Sequence, residues 1–374
     1  MRLCHFVLTP RFSGAEMVVG HLAVRHKSDG HDVAVAALNP SDLSFANTLA
    51  AWEGCGVETF IPSTVPSGRA TKVLSRVRGV QEVIRAFRPD VIFAHSIIPS
   101  AYVRLARGYL AKRPKVVTVL HAATEDDYAG RSRRLAEAAL ASPDAVIAVT
   151  QRGADNFRKR FKPRFPVEVI PNGIDLESIT AAAPEGVAVR SQLVPGFNGA
   201  LLTQIGRISP AKRQLESIRA LAKLHQRGVR AKLVLAGIWE DAAYLDGLRL
   251  AIREEALEDD VLLLGSRRDV AQIMAASDVI LMPSLIEAHS VAFLEGLASG
   301  RPMVASDISP FRFAHGYAGA GFIDPADADG FASALEAALA SGPVKRDLEA
   351  FSLRHMCDRY AQLASALVAR EGRS

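Results

Sequence analysis

Two α/β halves, each built on a doubly wound parallel sheet, are what this sequence predicts, and three observations predict them. Short apolar, β-branched runs alternate with helix-period segments along nearly the whole chain. The alternation runs through twice, with a break at Pro171-Asn172-Gly173 between the two series. At 374 residues, with 49% hydrophobic and 23% charged content, the chain is long enough for two domains that each bury a core.

In the first half, residues 3–9 read as a strand, 10–16 as a turn rich in small residues, and 17–27 as a helix closed by Asp29-Gly30. Further apolar runs at 32–38, 89–95, 115–121 and 144–149 complete a parallel set, each ending in a polar or small residue where a site can be built. Between them, Val73, Leu74, Val77, Val80, Ile84 and Phe87 make one face of a helix, with Lys72, Arg76 and Arg85 largely off it. The Pro-Asn-Gly break follows the strand at 167–170, and Ala181-Ala182-Ala183-Pro184-Glu185-Gly186 has the composition of a linker. The expected domains are therefore 1–170 and 196–345, joined by a hinge at 171–195, with a terminal segment at 346–374.

The second half opens with a strand at 200–205, a turn at Gly206, and a helix start in which Ser209 caps and Pro210 takes the first position. Strands follow at 232–237 and 261–265, and Ser266-Arg267-Arg268-Asp269 leads into a helix. The run 278–281 is a strand, and a loop carrying Pro283, Ser284 and Glu287 follows it. Ser290 then caps a helix whose apolar face is Val291, Phe293, Leu294, Leu297 and Ala298, and Gly300 and Pro302 stop it before a strand at 302–306. A strand at 321–323 and a helix through 351–369 end the chain.

Composition excludes several functions. No apolar run reaches the roughly 18 residues a spanning helix needs, and Met1 leads directly into a strand-like run, so a cytoplasmic protein is expected. Cys4, Cys55 and Cys357 are scattered, odd in number and without metal-type spacing. The net charge of +5 is uneven: residues 1–180 hold 24 Lys and Arg against 17 Asp and Glu, the remainder 21 against 23. That basic excess fits peripheral contact with an anionic membrane, or else a solvated outer face. No DNA- or RNA-binding motif accompanies the basic residues, so nucleic acid is not the expected partner. Gly316-x-x-Gly319-x-Gly321 lacks the strand before and helix after of a dinucleotide fingerprint, and no Walker loop, Gly-x-Ser-x-Gly elbow or His-Glu-x-x-His is present.

The chemistry concentrates beyond the carboxyl ends of the second set of strands, where helix N-termini offer free N–H groups. A diphosphate would lie against the amides around His289, Ser290, Val291 and Ala292, leaving Glu287 and Glu295 to accept hydrogen bonds from hydroxyls on either side of it. Hydroxyl-rich groups flanking a diphosphate describe a nucleotide sugar. Arg207 and Lys212, five apart around the glycine turn, can converge on the same diphosphate, one as a fork and the other as a point charge.

Glu287-x7-Glu295 followed by Gly-Leu-Ala-Ser-Gly-Arg-Pro-Met-Val-Ala-Ser resembles the signature of the retaining glycosyltransferases of family 4, which have the GT-B fold of two Rossmann-like domains facing a cleft. Val169-Ile170-Pro171-Asn172-Gly173-Ile174-Asp175 resembles that family's interdomain junction, and Gly206-Arg207 with Lys212 its phosphate clamp. Ser13-Gly14-Ala15-Glu16 resembles its Gly-Gly-x-Glu loop with the second glycine kept. His289-Ser290 stands where the family usually has Phe-Gly.

The resemblance implies a retaining hexosyltransferase that uses a nucleotide sugar such as a UDP- or GDP-hexose, with a glycan or lipid-linked acceptor in cell-envelope or exopolysaccharide synthesis, and no metal or other cofactor. It implies catalytic roles for His121 beside the sugar, for Arg207 and Lys212 on the diphosphate, and for Glu287 on sugar hydroxyls. It puts Glu295 on the ribose, Arg267 near the base, Gly14 close to the diphosphate or acceptor, and Glu16, Asp126, Asp127 and Tyr128 on the acceptor side. The hinge would close to exclude water, and the terminal helix would cross back to the first domain. A degenerate, non-catalytic partner subunit and a nucleotide-sugar epimerase are the other classes the pattern leaves open.

Overall fold

The computed structural model of the protein describes residues 1–110, 113–121, 143–239 and 241–369. They fall into two compact units, one of Met1–Gly173 with Phe351–Ser374 and one of Ile174–Ala350.

The first unit is a seven-stranded sheet of β1 (Arg2–Val7), β2 (Asp32–Ala37), β3 (Glu58–Phe60), β4 (Val91–His95), β5 (Lys115–Leu120), β6 (Ala145–Ala148) and β7 (Val167–Val169). Every pairing is parallel, in the order β3-β2-β1-β4-β5-β6-β7. Parallel sheets bury both faces, which is why β1, β4, β5 and β6 read as near-continuous apolar runs. The helices described around them are α1 (Gly14–Ser28), α2 (Ala46–Gly54), α3 (Arg69–Phe87), α4 (Ile97–Arg107) and α5 (Gln151–Phe161).

Helix α3 departs from the expected face. Val77, Val80, Ile84 and Phe87 are buried, joined by Val83, but Val73 and Leu74 are 41% and 51% exposed, since the first turns run past the edge of the core. Arg76 is not a presented charge either. Its guanidinium bonds Asn39 and the Tyr102 hydroxyl and lies 5.3 Å over the Tyr102 ring.

The second unit is a six-stranded parallel sheet of β8 (Ala200–Ile205), β9 (Ala231–Ala236), β10 (Val261–Gly265), β11 (Val279–Met282), β12 (Met303–Ser306) and β13 (Ala320–Ile323), in the order β10-β9-β8-β11-β12-β13. Its helices are α6 (Leu176–Ala181), α7 (Gly186–Leu193), α8 (Gln214–Gln226), α9 (Ala242–Glu254), α10 (Val270–Ala276), α11 (Val291–Ala298) and α12 (Ala328–Ser341). The alanine-rich stretch read as linker is folded here as α6, a short 3₁₀ turn and α7, and it packs on α10. Gly186 makes that packing close: a side chain there would meet the Ala275 backbone at 2.7 Å. The last helix, α13 (Leu353–Ala369), belongs to the first unit, where it packs on α1 and β5.

Both sheets reverse their winding once. In the first, β1 to β3 run outward one way and β4 to β7 the other; in the second, β8 to β10 and β11 to β13 do the same. Open α/β sheets bind ligands at that reversal, beyond the carboxyl ends of the two central strands. The positions to inspect are therefore the ends of β1 and β4, and those of β8 and β11.

Candidate functional site

In the second unit, three adjacent strands end in glycine. Gly206 follows β8, Gly237 follows β9 and Gly265 closes β10, and they are linked by Gly206 N–H to Ala236 O at 2.9 Å and Gly237 N–H to Gly265 O at 2.8 Å. A side chain at Gly237 would sit 1.8 Å from the Gly206 carbonyl oxygen, so glycine here is a packing requirement.

The chain leaves Gly206 through a tight turn. Pro210–Lys212 is a single 3₁₀ turn, Arg213 takes a left-handed conformation at φ 55°, and only then does α8 begin. The expected helix start at Pro210 is displaced by this break, and Ser209 makes no side-chain cap. Two glutamines brace the turn instead. Gln204 donates to the Lys212 carbonyl at 2.6 Å, Gln214 to the Arg207 carbonyl at 2.8 Å, and the Ser217 hydroxyl donates to Gln204 at 2.8 Å.

Lys212 is thereby aimed at the loop after β11, where its ammonium pairs with Glu287. The Ser284 hydroxyl donates to the same carboxylate oxygen at 2.9 Å, and the two loops are stitched by Leu285 N–H to Ala211 O at 2.8 Å. Lys212 and Glu287 side chains are 17% and 9% exposed, so water screens the pair little. Arg207, at the start of the same turn, is exposed.

Ser290 caps α11 as expected, accepting from the Phe293 N–H at 3.3 Å. Leu294 N–H bonds the Ser290 carbonyl, which leaves the N–H groups of Val291 and Ala292 as first-turn donors without an intrahelical acceptor. His289 stacks on Phe313 at 5.8 Å, in a cluster where Phe293 lies 4.1 Å from Phe311. Burial lowers its pKa to about 4, so it sits there as a neutral ring, in the place of the more usual phenylalanine. Glu295 lies one turn into α11, and burial raises its carboxyl to about 7.

Arg267 is held as a bidentate pair with Asp269, which lowers the Asp269 pKa. Its guanidinium is thus turned to the residue ahead of α10. Asp327-Ala328-Asp329, an Asp-x-Asp sequence, is consumed by structure: Asp327 caps α12, and Asp329 pairs with Lys223 and Arg227. No group of three or more potential metal-ligating side chains occurs among the described residues.

In the first unit, Gly14 opens α1 just beyond β1, and a side chain added there would meet nothing within 4 Å. The Ser13 hydroxyl bonds the Glu16 carboxylate in the first turn. His121 stands immediately after β5 with Nε2 2.8 Å from Nδ1 of His95, the last residue of β4. Burial lowers the His121 pKa to about 4, so the ring is neutral. Asp126, Asp127 and Tyr128 lie outside the described residues.

The sequence reading gave no site role to Gln204, Gln214 or His95, and it placed Ser284 only as part of the loop after the strand at 278–281. Their signal was there: Gln204 is a polar residue inside an apolar run, and His95 ends a strand.

The family model described as Glycosyltransferase Family 4 matches residues 12–178, and that described as Glycosyl transferases group 1 matches 199–341. The chain is 31% identical to EpsF of Bacillus subtilis over 258 residues, 65% of this chain and 64% of that one. It is 25% identical to the UDP-Gal:alpha-D-GlcNAc-diphosphoundecaprenol alpha-1,3-galactosyltransferase of Escherichia coli, over 67% of this chain and 66% of the relative. These matches therefore span just under two-thirds of the relatives' length. Among solved structures, Anabaena Alr3699/HepE in complex with UDP and glucose superposes with a TM-score of 0.79 at 22% identity, covering 98% of this chain and 100% of that one. That likeness establishes the GT-B fold.

Proposed function

The chain belongs to the family-4, group 1 glycosyl transferases, and from that membership we propose that it moves a hexose from a nucleotide sugar to a hydroxyl of a glycan or lipid-linked acceptor, with retention of configuration. The observation that carries the reading is the Lys212–Glu287 pair, held by two stitched loops at the winding reversal of the second sheet.

In this reading, the donor diphosphate lies between the Lys212 ammonium, the Arg207 guanidinium and the first N–H groups of α11. Lys212 then gives up part of its bond to Glu287, and the carboxylate turns to a sugar hydroxyl. Glu295, in its ionised form, accepts from the ribose. As the bond from the anomeric carbon to the phosphate oxygen breaks, charge grows on the leaving diphosphate, and cations fixed beforehand stabilise it more than they stabilise the ground state. The acceptor oxygen bonds to the anomeric carbon from the same face, and its proton passes to the phosphate oxygen released. His121 supports the sugar.

The test is donor turnover with Lys212→Ala. Loss of a preorganised charge of this kind costs on the order of 10²–10³-fold in rate. The melting temperature should rise with one of UDP, GDP or ADP in the wild type and shift less in the variant. Unchanged turnover in the variant sinks the reading, and no shift with any nucleotide at millimolar concentration turns it toward a non-catalytic subunit.

A lipid-linked acceptor is favoured by two features of the first unit. A groove of about 830 Å³ between β3 and α3 is lined by Phe60, Ile61, Pro62, Val65 and Leu74, with Arg76 and Arg78 among its walls. Arg69, Arg78 and Arg85 are exposed along α3. Among the described residues no helix is long and apolar enough to cross a membrane. In this reading the chain acts at the inner membrane face, reached from the cytoplasm. Flotation with vesicles rich in anionic lipid should fall on reversing those three charges together; equal flotation removes the membrane from the proposal.

A further inference from the structure

Three imidazoles of the first unit are joined ring to ring. His121 Nε2 lies 2.8 Å from His95 Nδ1, and His95 Nε2 lies 3.0 Å from His5 Nδ1. The sheet register accounts for the series. His5 of β1 pairs with Phe93 of β4, and His95 of β4 pairs with Val119 of β5. Residues two apart on a strand share a face, so each step to the next strand carries the ring two residues nearer the carboxyl ends. His5 and His95 are 0% and 4% exposed. Desolvation holds both far below the ordinary histidine value and brings His121 to about 4, so all three rings are neutral.

A neutral imidazole has one N–H and one bare nitrogen, and a bond between two rings uses one of each. Both nitrogens of His95 are engaged, so only two arrangements keep three neutral rings. In one, every N–H points from His5 toward His121; in the other, every N–H points back.

The far end distinguishes them. His5 Nε2 is buried with no hydrogen-bond partner among the described residues. The first arrangement leaves a bare lone pair there, while the second leaves a buried N–H without an acceptor, which folded proteins rarely tolerate. The neighbouring ring makes the same choice. His26, stacked on His5 at 5.8 Å, donates its Nε2–H to the Cys357 carbonyl at 3.1 Å and leaves Nδ1 as the bare, unpartnered nitrogen.

We propose that His5 and His95 are positioning residues that pass one tautomer outward, so that His121 carries its proton on Nδ1 and offers the site a donor, not a base. The backbone supports the arrangement. Ser96, directly after His95, is turned to φ 84° and ψ 172°, a region nearly confined to glycine, and its N–H is held by the Val119 carbonyl at 2.8 Å. Strain is kept where it fixes the His95 ring against β5. The use of the His121 N–H, a hydrogen bond to a sugar oxygen, rests on the reading of His121 given above.

Long-range proton–nitrogen NMR on ¹⁵N-histidine-labelled protein at pH 7.5 reads each ring's tautomer directly, with His121 assigned from a His121→Gln spectrum. Expected is protonated Nδ1 and bare Nε2 at His121; protonated Nε2, or an averaged pair, overturns the proposal. His5→Phe keeps an aromatic ring against Phe93 but removes the donor that sets the direction. His121 should then become a tautomeric mixture although residue 5 does not touch it, and an unchanged His121 in the folded variant also overturns the relay. Should that variant not fold, the wild-type spectrum decides alone. Adding UDP-glucose, UDP-galactose or GDP-mannose separates the two readings. Static His121 signals with Nδ1–H present keep the relay and remove the sugar contact, whereas shifting signals with Nε2–H keep the contact and remove the relay.

Discussion

The two units solve the same topological problem with opposite chemistry. Each reverses its winding beside the first strand of its sheet, and each puts polar side chains there. In the second unit they are a lysine and a glutamate, on loops that leave 17% and 9% of each side chain in contact with water. In the first they are imidazoles sunk into the strand ends themselves. The difference shows what burial permits: a charge survives where a partner and some water remain, and only a neutral hydrogen-bonding ring survives where they do not.

Acid should separate the units most. The buried rings of His5, His26, His95 and His121 all have folded-state pKa values below the unfolded value of 6.5. Their contribution is present above pH 6.5 and lost as pH falls toward 4, because the unfolded chain then binds protons that the folded unit refuses. His26 alone, at about 4, accounts for about 3 kcal/mol of that loss. Hydrogen exchange, corrected for intrinsic rates, should show amides of β1, β4 and β5 losing protection at pH 4.5 before those of β8 and β11. The reverse order would break the comparison.

Next in size is the turnover lost with Lys212→Ala, which touches only the charged unit and should leave exchange in the first unit as it was. The smallest expected effect has the opposite pH sign. Glu295 has its pKa raised from 4.5 to about 7 by burial, so its contribution is present below pH 4.5 and lost as pH rises through 7. His289 in the same unit works the other way, which makes the difference between wild type and Glu295→Gln the quantity to measure. Between pH 4.5 and 7.5 the wild type should lose at most about 3 kcal/mol relative to the variant. Parallel pH profiles would mean that Glu295 is hydrated.

How far the sequence could be read follows from the same physics. The long central strands were legible because burial on both faces demands continuous apolar runs, and the Glu287-to-Glu295 segment because its cap and stop residues are local. The strand β3 was missed, since Glu58-Thr59-Phe60 is short and lies at the sheet edge with Glu58 exposed. The alanine-rich segment before β8 looked like a linker because small residues serve equally for close helix packing. The histidine series was out of reach for another reason. It depends on β1 lying beside β4 and β4 beside β5, and on a register that no local pattern encodes.

The bond from Leu285 N–H to the Ala211 carbonyl has a consequence for evolution and design alike. Two loops 74 positions apart in sequence are one mechanical piece, so the entropy of bringing Lys212 and Glu287 together is spent when the chain folds and is not charged again to each ligand. An insertion in either loop would therefore be felt in both, and altered donor preference should arise more readily from side-chain exchange on this frame than from remodelling it.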